Sequence, residues 1–355
     1  MTKHLCFLHL LIISLMLTGC YDKIELEERG FVGAFSIDAE DGGVALCVEL
    51  LAIGEDDGDN EKKDVRSITR QNLSSAMYEL NEVNPRALSF ALSKACLLGE
   101  ELLQDASKLR EVIGALDQNN EISGKLLIAA VHGEAADALS EVLKDESSFG
   151  AYISNHYKHA RKQAGSALQL ELEMLAVALH EDEGVLIPLI SYDENNKSLI
   201  FSGAALVKGE LAGFASNEEL EGLAWAKGLG RGRLLSVKLD DAHTTLRITD
   251  QNTRYRIRED SQGIVCSISV RTKGHLEEYP QDLYENDEQS AYLERIFAEA
   301  IVNEIKSTYA LLASYDIDGY GLSERLKKHD TELYERYGGQ ESYKLEITAY
   351  VKINN

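Results

Sequence analysis

Residues 290–312 place Leu293, Ile296, Phe297, Ala300, Ile301, Ile305 and Leu312 at steps of three, four and seven. That spacing lines one face of an α-helix over about six turns. A stripe of that length must be covered by another layer of structure. The neighbouring sequence supplies the cover, with strand patterns at 234–239, 244–249, 254–258 and 264–275 before the helix and at 343–353 after it. Upstream, 31–38 and 44–53 read as a hairpin around Asp41-Gly42-Gly43. Residues 69–83 read as an amphipathic helix stopped by Asn84-Pro85. A buried strand is expected at 88–98, a helix at 100–116 and a strand at 126–131. Helical sequence follows to 179, then a strand at 185–190. Beyond Asp193-Glu194-Asn195-Asn196 come a hairpin (198–207 and 211–215), a short helix containing Trp225 and a helix at 321–328. Strands and helices mix without a regular βαβ alternation, so the expected class is α+β, with mixed or antiparallel sheets packed on helices. The turn at 193–198 divides the expectation into 20–195, as one or two subdomains, and 196–355.

The first residues are read apart from the fold. Residues 5–17 form an apolar run; thirteen residues span about 20 Å as a helix, short of the roughly 30 Å hydrocarbon core. The run ends in Leu17-Thr18-Gly19-Cys20, which resembles the lipobox of bacterial lipoproteins. The resemblance implies a signal peptide over 1–19, transfer of diacylglycerol to the Cys20 thiol and cleavage before it. Two acyl chains make a stable anchor.

The formal charge is −24, from 36 Lys+Arg against 60 Asp+Glu. Such a field repels nucleic acid and anionic lipid alike, so any membrane attachment is expected to come from the acyl chains. Cys47, Cys96 and Cys266 lie in apolar stretches and read as free buried thiols. The acidic loop 54–61 lacks the ligand order of an EF-hand.

The chain carries no GxSxG, Walker A, HExxH or dinucleotide-binding motif, and the expectation is a protein that is not an enzyme, with no catalytic residue, metal site or cofactor. Gly228-Leu229-Gly230-Arg231-Gly232 follows a helix rather than opening one and reads as a turn. His156 and His159 share a helix face but have no third ligand beside them. Arg254, Arg256 and Arg258 alternate around Tyr255 and Ile257, so a strand points all three one way. They are either a solvated sheet face or a docking surface for an acidic partner loop.

Several segments carry a family resemblance. Cys20-Tyr21-Asp22-Lys23-Ile24-Glu25-Leu26-Glu27-Glu28-Arg29-Gly30, then Ser36-Ile37-Asp38, resemble the opening of the Ger(x)C family of spore germination lipoproteins, with Tyr21 in place of the usual Trp. Leu98-Gly99-Glu100 resembles the end of the family's next strand. Residues 202–213, with Glu218, Glu219, Gly222 and Trp225, resemble a third segment, where Val207 replaces Phe. Asp316-Ile317-Asp318-Gly319-Tyr320-Gly321, with Leu326, His329, Tyr334 and Tyr337, resembles a fourth, where Asp330 replaces Pro. The resemblance implies the C subunit of a nutrient germinant receptor, anchored on the outer face of the inner spore membrane. It further implies assembly with two membrane-embedded subunits, of A and B type. A substrate-binding lipoprotein of an uptake system is the alternative, and it would show two lobes of repeated parallel βαβ units.

Overall fold

The first hairpin lies toward one edge of a nine-stranded sheet. Strand β1 (Arg29–Glu40) pairs antiparallel with β2 (Gly43–Leu50), setting Ser36 opposite Cys47 and Ile37 opposite Leu46. The computed structural model describes residues 28–354 apart from 41, 52–63, 146–147, 164–167, 194–197, 240–241, 262, 280–286 and 338–342. Cys20 and the acidic loop 54–61 therefore lie outside the described residues. Strand β3 (Asp64–Arg70) adds to β2. Thr69 is thus a strand residue, and the helix expected from it begins later, as α1 (Leu73–Val83). The Asn72 side chain caps that helix by accepting the Ser75 N–H at 2.8 Å. The alternation Val65, Ser67, Thr69 against Arg66, Ile68, Arg70 is too mixed in polarity to announce an edge strand.

On its other side β1 runs parallel to the short β4 (Ala87–Ser89) and to β5 (Ala95–Leu98). One continuous strand was expected here; a turn interrupts it. The Ser93 hydroxyl donates to the Val32 carbonyl (3.1 Å) and the Lys94 N–H to the Gly33 carbonyl (2.8 Å). The helix expected over 100–116 also divides, into α2 (Glu100–Gln104) and α3 (Ala106–Asp117), because Asp105 accepts the Lys108 N–H and starts a new helix. Strands β5, β6 (Leu127–Val131) and β7 (Val185–Asp193) are parallel neighbours joined by helical crossovers, which include α4 (Ala135–Asp145), α5 (Phe149–Gln163) and α6 (Leu172–His180). The antiparallel β8 (Ser198–Lys208) and β9 (Glu210–Ser216) close the order β3-β2-β1-β5-β6-β7-β8-β9, with β4 beside β1.

Helices cover both faces of this sheet. Phe35 and Ile37 point into the core beneath α1, α3 and α6; Ala34 and Cys47 point into the core beneath α4 and α5. On the second side the hairpin carries two buried carboxylates. Asp38 accepts the Ala135 and Ala136 N–H groups (2.6 and 3.0 Å), and Glu49 accepts those of Phe149 and Gly150 (3.0 and 3.2 Å). Each carboxylate thus meets the unpaired N–H groups and positive dipole end of a helix. Burial pushes the Asp38 carboxyl above its ordinary value while the two N–H donors pull it back. Gly99 completes the arrangement, since a Cβ there would stand 1.9 Å from Asp38 Oδ1.

The second sheet has the order β10-β11-β12-β13: β10 (Leu234–Leu239), β11 (Ala242–Asp260), β12 (Gly263–Glu278) and β13 (Tyr343–Ile353). Two strands were expected at 244–249 and 254–258. They are one long strand that carries irregularities of register between Thr245 and Leu246 and between Ile248 and Asp250. Helix α8 (Asp287–Ser314) covers the inner face, burying Leu293, Phe297, Ile301, Ile305 and Leu312 as its periodicity requires. Strand β13 returns parallel to β12 after α9 (Leu322–His329) and α10 (Thr331–Tyr337), the latter not expected from the sequence.

The hairpin β8–β9 belongs to both halves. Ala205 and Val207 face the first core; Ala204 and Leu206 face the core of the second sheet. The β7–β8 ladder pairs Asp193 with Ser198 and Val185 with Val207, on either side of residues 194–197.

Two tests follow from this framework. Asp38→Ala strands two buried N–H groups and is expected to destabilise the fold by about 2 kcal/mol, with Asp38→Asn costing about half of that; urea unfolding measures both. A protease cut within 194–197 is expected to leave one particle on a native gel that separates only on denaturation, because the ladder survives the cut. Fragments that part without denaturant would show that the hairpin belongs to one half alone.

Candidate functional site

The arginines of the sequence pattern lie on β11 as a stripe. Arg254, Arg256 and Arg258 are exposed and point away from α8, while Tyr255 and Ile257 between them pack against the core. The register sets Arg254 opposite Ser269 and Arg256 opposite Ser267. Arg258 reaches Glu346 on β13 at 2.9 Å, and Arg254 donates to the Asn252 side chain at 3.2 Å. The same outward face carries Arg271 and Lys273 of β12 and Lys344 of β13, all exposed. The alternation 271/273 is visible in the sequence, but its alignment with the β11 stripe depends on a register that only the folded sheet supplies.

A strongly perturbed carboxyl lies elsewhere, under Trp225. The short helix α7 (Glu221–Ala226) buries Trp225 against α8, and the indole Nε1 donates to Glu304 Oε2 at 2.5 Å. Gly222 allows the approach, since a Cβ there would lie 2.4 Å from the Glu304 carbonyl oxygen; its N–H donates to Thr308 Oγ1 at 3.0 Å. Arg233, nearly buried, shares its guanidinium between Glu221 (2.7 Å) and Glu304 (3.5 Å) and lies 5.1 Å from the indole centroid. Burial raises the Glu304 carboxyl to about 7, against the pull of Arg233 and the Trp225 N–H; Glu221 adds a smaller upward push. The sequence places Trp225 in a short helix but does not reveal this cluster, because its members are spread over 221–304 with no periodic relation.

A cavity of about 460 Å³ opens on the inner side of β11, lined by Lys227, Tyr255, Arg325 and His329 among others. The Arg325 guanidinium stacks 4.1 Å over the Tyr255 ring, whose hydroxyl donates to the Ala226 carbonyl. The glycine-rich 228–232 segment is the turn from α7 into β10, with Gly228 and Gly232 at φ 74° and 90°. His156 is stacked on Phe201 at 4.1 Å between ring centroids rather than solvated, and burial lowers its pKa. No cluster of three metal-ligating side chains occurs among the described residues. Cys47, Cys96 and Cys266 are free and buried, and burial pushes Cys47 to about 11 and Cys266 to about 12, so these thiols stay protonated and unreactive.

The Glu304 cluster predicts a pH dependence. A carboxyl raised from 4.5 to about 7 on folding binds its proton more tightly in the native state. Its contribution is fully present below pH 4.5 and is lost as pH rises through 7, lowering stability by up to about 2–3 kcal/mol across that window. Glu304→Gln, which still accepts from the indole, is expected to flatten this part of a melting-temperature profile between pH 4.5 and 8. An unchanged slope in the variant would assign the dependence to another group.

Comparison with known proteins places the whole chain. Residues 22–192 match the family model described as the spore germination protein N-terminal domain, and residues 202–355 the one described as spore germination B3/GerAC like, C-terminal. Spore germination protein YndF of Bacillus subtilis (strain 168) is 22% identical over 373 residues, covering 92% of this chain and 88% of that protein. Spore germination protein KC of the same organism is 21% identical over 360 residues, with the same two coverages. The crystal structure of the GerBC protein shares the fold, with a TM-score of 0.62 and 19% identity over 90% of this chain and 97% of that one.

Proposed function

The chain belongs to the GerAC-like family of spore germination proteins, and from that premise we propose that it is the lipid-anchored C subunit of a nutrient germinant receptor. In this reading Cys20 carries the lipid and holds the folded body at the outer face of the inner spore membrane. The subunit works by contact with two membrane-embedded subunits, of A and B type, and turns over no substrate. The observation that carries the reading is the match of both family models, in order, along nearly the whole chain. Supporting it, two perturbed carboxyls are engaged in structure: Glu304 by Trp225 and Arg233, Asp38 by a helix N-terminus. The two sheets differ in strand order and in proportion of parallel pairs, which disfavours a pair of similar lobes around a cleft. Arg254, Arg256 and Arg258 are the candidate docking residues. The family-model matches end at 192 and resume at 202, and a division of the mature chain near 195 is retained as part of the proposal.

The anchor is tested first. No helix among the described residues is long and apolar enough to cross a membrane, and in this reading the acyl group is the anchor that survives high salt. After a high-salt wash that screens charge contacts, Cys20→Ala is expected to move the chain to the soluble fraction of sporulating cells that lack the partner subunits, and to impair nutrient germination when those subunits are present. Retention of the variant in the membrane without its partners would refute the Cys20 assignment.

A further inference from the structure

In a chain of formal charge −24, the outer face of the second sheet is basic. It presents Arg254, Arg256, Arg258, Arg271, Lys273, Lys344 and Lys352 against Asp250, Asp260 and Glu346, with the Arg247–Glu277 pair at its far end. A sheet stabilising itself sets opposite charges across its strands. Here the cross-strand neighbours of Arg254 and Arg256 are serines, although Asp250 stands opposite Lys273, and among the described residues the ion pairs of this face include Arg258–Glu346, Lys352–Glu294 and Arg247–Glu277. Several arginines elsewhere are matched, Arg70 with Glu79, Arg110 with Asp182, Arg233 with Glu221 and Glu304, and Arg336 with Glu259, while Arg86, Arg231 and Arg325 are singly placed without an ion pair among the described residues. Among the described residues, Arg254, Arg256, Arg271, Lys273 and Lys344 make no ion pair. The fold has gathered cations in one place and left most of them uncompensated.

We propose that this face lies on the anionic headgroups of a lipid bilayer and fixes the orientation of the protein at the membrane. The patch runs about 27 Å along the strands and about 10 Å across three of them, a broad platform rather than a cleft for a loop; the nearby cavity opens on the opposite side of β11. Tyr350 stands on the same face, 58% exposed, with the Arg271 guanidinium 5.7 Å from its ring centroid. An amphipathic aromatic beside long cationic side chains suits the headgroup layer. Charge complementarity also selects the pose. Within a Debye length of about 8–10 Å an anionic surface repels the acidic remainder of the body, so the basic face is the one that can approach. The expectation from net charge, that anionic lipid repels this chain, leaves out how that charge is distributed.

The inference takes from the proposed function only that the protein works at a membrane, and its test needs no acyl chain. The chain from Tyr21 onward keeps every described residue and is mixed with vesicles of phosphatidylcholine, with or without phosphatidylglycerol, and sedimented. Binding is expected on the anionic vesicles alone and is expected to weaken as salt is raised. Each cation near an anionic surface changes partition about fivefold, so the triple Arg254→Gln, Arg256→Gln, Arg258→Gln variant should lose about a hundredfold. The triple change to Glu should abolish binding. A control with Arg86→Glu, Lys94→Glu and Lys125→Glu has the same net charge as the latter but alters exposed cations outside the patch, and should retain binding; melting curves establish that each variant is folded. Equal loss in the control would reduce the effect to net charge and overturn the proposal. So would a wild-type chain that ignores anionic vesicles at low salt, and if the arginine variants then still impaired germination, the face would belong to an acidic protein partner. Neither failure touches the Cys20 anchor, which the fractionation experiment reads separately.

Discussion

Asp38 and Glu49 stand on paired strands of the first hairpin, and each accepts two N–H groups from the start of a helix about a hundred residues downstream. A buried carboxylate without donors would destabilise the fold strongly. Here the helix N-termini provide the donors and the favourable potential. The interaction therefore runs both ways: the hairpin can bury its acids only when α4 and α5 dock, and the leading N–H groups of those helices, at Ala135, Ala136, Phe149 and Gly150, find their side-chain acceptors on the hairpin. Such long-range dependence makes the covering layer cooperative with the sheet. It also explains why Gly99 follows β5, where no side chain fits against the Asp38 oxygen.

What could be read before folding was whatever repeats locally. The apolar periodicity of α8, the β1–β2 and β8–β9 hairpins and the final strand are all set by spacing within a few residues, and the structure contains each of them. The errors fall where a tertiary contact overrides local texture. Thr69 sits in a strand because β2 offers an edge to pair with. The 88–98 segment is broken because Ser93 and Lys94 bond to the backbone of β1. Residues 242–260 are a single strand because β12 supplies a continuous partner through the irregular register. The parallel centre, β5-β6-β7, was also hidden: its strands are short, and sections of helix separate them in the sequence.

The site was legible to the same extent. Trp225 and the arginine alternation are local features and were visible. Glu304 was one acid among many on a long helix, and only the packing of α7 against α8, through Gly222, sets it under the indole. Both lessons reflect one distinction. Residue type and spacing report which face a side chain takes, whereas its electrostatic environment depends on which elements the topology brings against that face.

The same distinction governs charge. A net value sums over all faces, but an interaction with a surface depends on the charge within a Debye length of the contact. Alternation on β11 exposes three arginines together; antiparallel pairing with β12 adds Arg271 and Lys273 beside them, and the parallel return of β13 adds Lys344. None of these steps alters composition. They gather these cations on one outward face while α8 covers the other. An acidic chain can thus carry an oriented basic platform, and the excess acid elsewhere sharpens the orientation by making every other approach to an anionic surface less favourable. A polar sheet face needs no cations to stay solvated; serine and threonine, already interleaved there as Ser267, Ser269 and Thr348, would serve. The retained and mostly unpaired cations are therefore better explained by something outside the chain that they meet than by the stability of the sheet itself.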